Sequence, residues 1–355
     1  MKKMRAAAKA SLINYLLVLA VFALVQVMIS TGNIKSSLQG QLIPICAYVV
    51  MAISLNLVVG VSGELSLGHA GFMSIGAFTG VVVTAALADL IPSGGIRLGI
   101  AMVIGAILAG LCGLLVGVPV LRLRGDYLAI VTLAFGEIIK NLINILYIGL
   151  DEKGLHFALS EAGLHLAEGG AALIKGPMGA VGVTKLSTFT SGVVLVLITL
   201  FIVQNLVDSR AGRAILALRD NRIAAESVGI SVTTYKLMAF VTSAALAGAA
   251  GVLYAMNYTG LAAKKFDFNT SILILVFVVL GGMGNIRGSI ISAALLTILP
   301  ELLRQFNFDK YRMLVYAIVL IIVMLVVNNS TIKELLRQTK ERLLGRKAKG
   351  GDDNE

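Results

Sequence analysis

Long apolar runs without charge divide this chain. Residues 11–30, 42–61, 65–87, 98–120, 186–207 and 237–261 contain no Asp, Glu, Lys or Arg. About 20 apolar residues cross the hydrocarbon core of a bilayer, so each run is predicted to be a membrane helix. Residues 127–150 make a seventh span, interrupted by Glu137 and Lys140, and 313–329 a short last one. Residues 270–303 do not fit one helix: 34 residues at about 1.5 Å each reach about 51 Å, against a core of about 30 Å. Gly281, Gly282, Met283, Gly284 and Asn285, followed by Arg287, supply a natural break, so two segments joined by a turn are expected. The predicted fold is an all-α polytopic membrane protein with about 8–10 transmembrane segments, one pair of them broken or re-entrant.

The polar stretches between the runs set the organisation. Residues 1–10 read as an N-terminal tail, 11–329 as the membrane domain and 330–355 as a basic C-terminal tail. The start of the chain has the charged and apolar parts of a signal peptide without a small-residue cleavage site, so it is read as a retained first helix. Within the membrane domain, residues 208–236 form a basic segment with Arg210, Arg213, Arg219 and Arg222. Each arginine costs roughly 2.5–3.5 kcal/mol at mid-bilayer, so this segment must lie in water. With the N-terminus inside, 19 of the 30 Lys and Arg fall in inner loops and tails and ten in outer loops, which puts both ends in the cytoplasm. The long outer connection, 151–185, is read as carrying a short amphipathic surface helix, either filling a loop or meeting a binding protein. After residue 329, Ile332, Leu335, Leu336 and Leu343 on a basic background suggest a helix lying on anionic lipid.

Composition agrees with that pattern. Hydrophobic residues are 57% and charged residues 14%, with a mean hydropathy of +0.91. A net charge of +11 without a basic face interleaved with aromatics is explained by membrane topology and excludes a nucleic-acid partner. Cys46 and Cys112, far apart in apolar runs, offer neither a disulfide scaffold nor a metal motif. There is no GxxxxGK[ST], HExxH or GxSxG, so the chain is read as no enzyme, with no metal and no bound cofactor.

Candidate chemistry sits in few places. Gly76 with Gly80, then Ala109, Gly113 and Gly117, then Ser243, Ala247 and Gly251, recur every four residues, as close helix packing in lipid requires. Glu137, Lys140, Asn141 and Asn144 make one polar stripe on a span, either lining a pathway or forming a structural pair. Glu64, Ser66, Gly68 and His69 open another span with polar and flexible residues. They suit either a broken helix whose free backbone groups meet a zwitterionic solute or an ordinary capped helix start. In the basic segment, Ile215 and Leu218 share a helix face, Arg222 and Glu226 pair at i, i+4, and Gly229 can end a short rigid helix.

Four blocks taken together carry a resemblance: SLNLVVGVSGELSLGHAGFMSIGAF, LRLRGDYLAIVTLAFGEIIKNL, GRAILALRDNRIAAESVGISVTTYKLMAFVTSAALAGAAG and VVLGGMGNIRGSIISAALLTILPELL. In this order they resemble the membrane permease of branched-chain amino-acid ABC importers, the LivM type. The resemblance implies a type II ABC importer-like permease of the bacterial inner membrane, paired with a homologous second permease. Two cytoplasmic ATPases would hold ATP and Mg, and a periplasmic binding protein would deliver leucine, isoleucine or valine. It makes Arg213, Arg219, Arg222, Ala225, Glu226 and Gly229 the ATPase-coupling residues. Glu64, Ser66, Gly68, His69, Glu137 and Asn141 are the substrate-path candidates, and Gly281, Gly282, Gly284 and Asn285 the helix break. Urea and short-chain amide importers look similar, and an ion-coupled secondary carrier or a passive channel stays open beside them. The Thr-Gly-Gly segment that usually follows the Glu137 span is missing; Lys175, Gly176, Pro177, Met178 and Gly179 are the nearest match.

Overall fold

The computed structural model describes residues 2–32, 36–121, 127–152, 154–166, 170–305, 317, 318 and 321. The chain divides into two compact units, Met1–Ile298 and Leu299–Glu355. The first carries a helical bundle with a small sheet at one end. The span expected at 313–329 and the basic tail at 330–355 lie outside the described residues, apart from 317, 318 and 321.

Among the described residues, seven helices are long and apolar enough to cross a membrane. They are α1 (Lys2–Ser30), α2 (Ser36–Asn56, continued by a π turn at Leu57–Val61), α3 (His69–Ala86), α4 (Gly94–Val120), α5 (Tyr127–Asn144), α6 (Phe189–Asp208) and α9 (Val232–Ala255). Between α6 and α9 lie two short helices, α7 (Arg210–Asp220) and α8 (Arg222–Ser227). The region of the anomalous 34-residue run is two helices, α10 (Phe268–Gly281) and α11 (Ile286–Gln305), joined by a turn with Gly282 and Gly284 at φ 88° and 82°. The chain is therefore an all-α polytopic membrane protein with a broken helix pair.

The core forms where α3, α4 and α9 meet through their small residues. A Cβ built on Gly76 would lie 1.9 Å from the Gly248 carbonyl oxygen, and one on Gly251 1.9 Å from that of Met73. Backbones this close gain dispersion contact that lipid tails cannot match, and lipid supplies no hydrophobic driving force of its own. Phe72 fills the remaining space, with its ring 5.4 Å from Phe135 and 5.6 Å from Phe240.

Two expectations are corrected at the other end of these helices. Among the described residues of 151–185 there is no amphipathic helix: β1 (Tyr147–Asp151), β2 (Gly154–Ala158), β3 (Ala171–Lys175), β4 (Ala180–Val181) and β5 (Gly260–Leu261) form an antiparallel sheet in the order β2-β1-β3-β4-β5. Leu155, His156, Phe157 and Ala158 alternate between exposed and half-buried, a period of two, and only a short 3₁₀ turn at Glu161–Gly163 is helical. The span expected to run to residue 150 stops at Asn144, because Tyr147 to Leu150 are already paired with both β2 and β3. Lys175 to Gly179 form a tight turn that closes with Lys175 N–H donating to Gly179 O at 2.9 Å.

Candidate functional site

The basic segment folds at the end of the bundle opposite the sheet. Ser209 caps α7, its hydroxyl accepting from Gly212 N–H at 3.1 Å, and Asn221 caps α8, its side chain accepting from Ala224 N–H at 3.0 Å. Asn221 itself is extended, at φ −153° and ψ 101°. Asn221 separates α8 from α7, because its side chain starts a helix at the point where its own backbone leaves one. Leu218, Ala225 and Val232 form a buried cluster with Ile230 and Tyr235 against it, which ties α7, α8 and α9 together. Gly229, at φ 85°, closes α8 in the left-handed region that favours glycine.

The charged candidates have separate tasks. Arg222 Nε donates to Glu226 Oε1 at 3.1 Å along α8, and Arg213 Nη1 donates to Asp208 O at 3.1 Å. Arg219 reaches farthest: held beside Asp220 Oδ1, its Nη1 donates to Gly60 O at 2.7 Å, in the π turn that ends α2. That carbonyl lies in the last turn of a helix, where orphan acceptors and a cation suit each other. Ile223 of α8 and Val228, its C-cap, are 79% and 75% exposed, alongside the exposed Glu226 and Ser227. Sequence reasoning passed over both; the signal was two aliphatic residues amid arginines, off the Leu218 and Ala225 face.

The substrate-path candidates separate into two groups. Glu64 forms an ion pair with Lys236 of α9. Ser66 is 1% exposed, and its hydroxyl has no hydrogen-bond partner. Gly68 lies against the Thr132 backbone of α5, and Thr132 Oγ1 accepts from Leu67 N–H at 3.1 Å. His69, 2% exposed, begins α3, with Nε2 2.8 Å from Ser54 Oγ. Because Ser54 Oγ donates to Met51 O at 2.9 Å, it accepts from His69, which puts a proton on Nε2. Ala70 N–H donates to Ser271 Oγ of α10 at 3.2 Å. Ser54 precedes the end of the π turn by seven residues, so α3 starts about 10 Å inside the end of α2. Its first turn is a buried polar hub that joins α2, α3, α5 and α10. Glu137 follows Gly136, which packs on Gly68 and Gly71, but its carboxylate pairs with Lys140 on α5, half-buried, and Asn141 is exposed.

The helix break is seated on the same π turn that Arg219 holds. Gly284 N–H donates to Asn56 Oδ1 at 2.8 Å, and Asn56 Nδ2 donates to Ser289 Oγ at 3.0 Å. Gly281 and Asn285 close the turn, with Gly281 against Gly288 and Asn285 O accepting from Ser289 N–H at 3.1 Å. Asn56, Gly60 and Lys236 were not singled out by the sequence reading; Asn56 and Gly60 were visible as the one amide and a glycine four residues on within the run 42–61.

Comparison with known proteins places these features in a family. The family model described as branched-chain amino acid transport system / permease component matches residues 37–324. Over 293 residues the chain is 36% identical to the high-affinity branched-chain amino acid transport system permease protein LivM of Salmonella typhimurium and 37% identical to that of Escherichia coli. Each match covers 78% of this chain and 66% of the relative's own length. The permease protein LivH of Escherichia coli is 33% identical over 118 residues, covering 33% of this chain and 38% of LivH. No solved structure matches the chain. With a family model matched along most of its length and relatives above a third identical, the chain belongs to the branched-chain amino acid transport system permease family.

Proposed function

We propose that this protein is the LivM-type permease subunit of an ATP-driven importer of leucine, isoleucine and valine, a multi-pass protein of the bacterial inner membrane with both termini in the cytoplasm. It forms the solute path with a homologous, LivH-like permease. Two cytoplasmic ATPases bind ATP and Mg, and this chain binds neither; a periplasmic binding protein delivers the solute at the sheet end. Arg213, Arg219, Arg222, Ala225, Glu226 and Gly229 belong to the ATPase contact.

The observation that carries the reading is α8. A six-residue helix tied down through Leu218, Ala225 and Val232 leaves Ile223 and its C-cap residue Val228 exposed. Two large exposed aliphatics on a short charged helix in water support a surface that meets a partner. The buried hub at Ser66, Gly68 and His69 is the preferred solute-side element, since its unpartnered hydroxyl can meet a carboxylate. Glu137 and Asn141 face a neighbouring subunit or the path it shares.

The test uses the assembled complex in membrane vesicles. Ile223→Asp and Glu226→Arg should abolish ATP-driven leucine uptake and release the ATPases during purification, with the permease still inserted. Undiminished uptake with the ATPases retained in both variants removes the assignment. Uptake of urea or acetamide in place of leucine keeps the coupling and changes the solute.

A further inference from the structure

We propose that Arg219 and Asn56 are the positioning residues of a latch on the π turn Leu57–Val61, through which displacement of α7 and α8 reaches the α10–α11 turn. The proposal rests on the reading of α8 as the ATPase contact and extends it to how the contact is transmitted.

Three elements distant in sequence converge on Gly60. From one side Arg219 Nη1 donates to its carbonyl at 2.7 Å. From the other, the break itself is seated against it: a Cβ on Gly60 would lie 2.1 Å from Gly284 N, so only glycine leaves room. One turn earlier, Asn56 receives the Gly284 N–H with its oxygen and donates to Ser289 with its amide nitrogen, so one side chain holds both the turn and the start of α11. A second tie runs alongside, where Glu64 pairs with Lys236 in the first turns of α9. The segment from Gly60 to Glu64 is therefore held at both ends by residues that flank α8 in sequence.

The local backbone suits a moving part. A π turn carries one residue more than an α-helix accommodates, and such turns sit at functional positions because their register can change. The joint hangs on a small number of hydrogen bonds, each of which is made or broken as a unit, in contrast to the continuous contact of the small-residue core. Displacement of α7 pulls the Gly60 carbonyl, and Gly60 cannot move without the Gly284 backbone that lies on it. Asn56 keeps α10 and α11 in step.

The experiment follows nucleotide-driven motion at the two ends of the latch in the assembled importer. Spin labels are placed separately at Ser227→Cys on α8 and Met283→Cys in the break, both exposed, with Cys46 and Cys112 replaced by alanine. A non-hydrolysable ATP analogue should change the spectrum at both sites. In Asn56→Ala and in Ser289→Ala, which removes the partner of the Asn56 amide, the change at 227 should persist and that at 283 vanish, while leucine moved per ATP hydrolysed falls about tenfold, the size of a typical coupling between sites. Arg219→Lys, which keeps the charge but not the planar fork, should retain more coupling than Arg219→Gln. A purely structural role would lower hydrolysis and transport together and leave their ratio unchanged, which overturns the latch; so does a response at 283 that survives in both variants, or one missing from the wild type while 227 responds. A silent label at 227 instead refutes the ATPase-contact reading. Should Asn56→Ala fail to assemble, Ser289→Ala decides the matter.

Discussion

Two regions of this protein hold helices together by opposite means. Where α3, α4 and α9 meet, glycines and alanines bring backbones into direct contact, as at Gly76 on Gly248 and Gly251 on Met73. Where α2, α7 and the α10–α11 turn meet, the contact is polar and irregular: a π turn, an arginine, an asparagine and two glycines at positive φ. The first gains from many weak dispersion contacts that all fade with displacement, so it favours a single arrangement. The second adds a few directional bonds to one close backbone approach, Gly60 on Gly284. The first suits a frame that keeps its shape, and the second suits the joint proposed above.

The contrast can be broken most severely in the frame. Gly76→Leu forces a side chain into the Gly248 carbonyl and should cost about 3 kcal/mol or more, seen as loss of folded permease in detergent unfolding. The same substitution tests whether the core tolerates displacement at all. In the joint, Asn56→Leu orphans the Gly284 amide and leaves the Ser289 hydroxyl its bond to Asn285 O; about 2 kcal/mol should be lost, with faster hydrogen exchange confined to residues 281–289. Exchange that speeds equally in α3 and α9 would erase the distinction between the two regions.

Smaller effects sharpen it. Gly229→Ala meets open space but a φ of 85°, so about 1 kcal/mol of backbone strain should loosen α8 without disturbing the frame, measured by exchange at Ala224 to Val228. Asp267→Ala removes the α10 cap, whose carboxylate accepts from Thr270 N–H at 3.0 Å, and should cost about 1 kcal/mol. Burial opposes ionisation of Asp267, but hydrogen bonds from Thr270 and Asn269 prevail and hold its carboxyl below the usual value. Its contribution is therefore complete above the ordinary carboxylate range and is lost as pH falls through the lowered value, so the wild type and Asp267→Ala should converge in stability in acid. The least change is expected from Glu226→Gln, about 0.3 kcal/mol from an exposed i, i+4 pair, so any loss of uptake in that variant reports partner contact instead of folding.

The legible parts of the molecule were those that a short window of residues decides. Uncharged runs gave the helices, the glycine run at 281–285 gave the break, and the arginines at 210–222 gave the segment that must leave the bilayer. Failures were also local in origin. Residues 151–185 mix apolar and polar positions at both helical and strand periods, and pairing with β1 and β5, which belong to other parts of the chain, settled the choice for strands.

The amino-acid order alone determined which segments are apolar enough for lipid and which are not, since transfer from water is a sum over neighbouring side chains. Only the tertiary structure decided what those segments do to one another. Asn56 and Gly284 are 228 positions apart, and Arg219 and Gly60 are separated by 159. A hydrogen bond is fixed by donor and acceptor meeting within a few tenths of an ångström, and that meeting exists only once every helix between them has been placed.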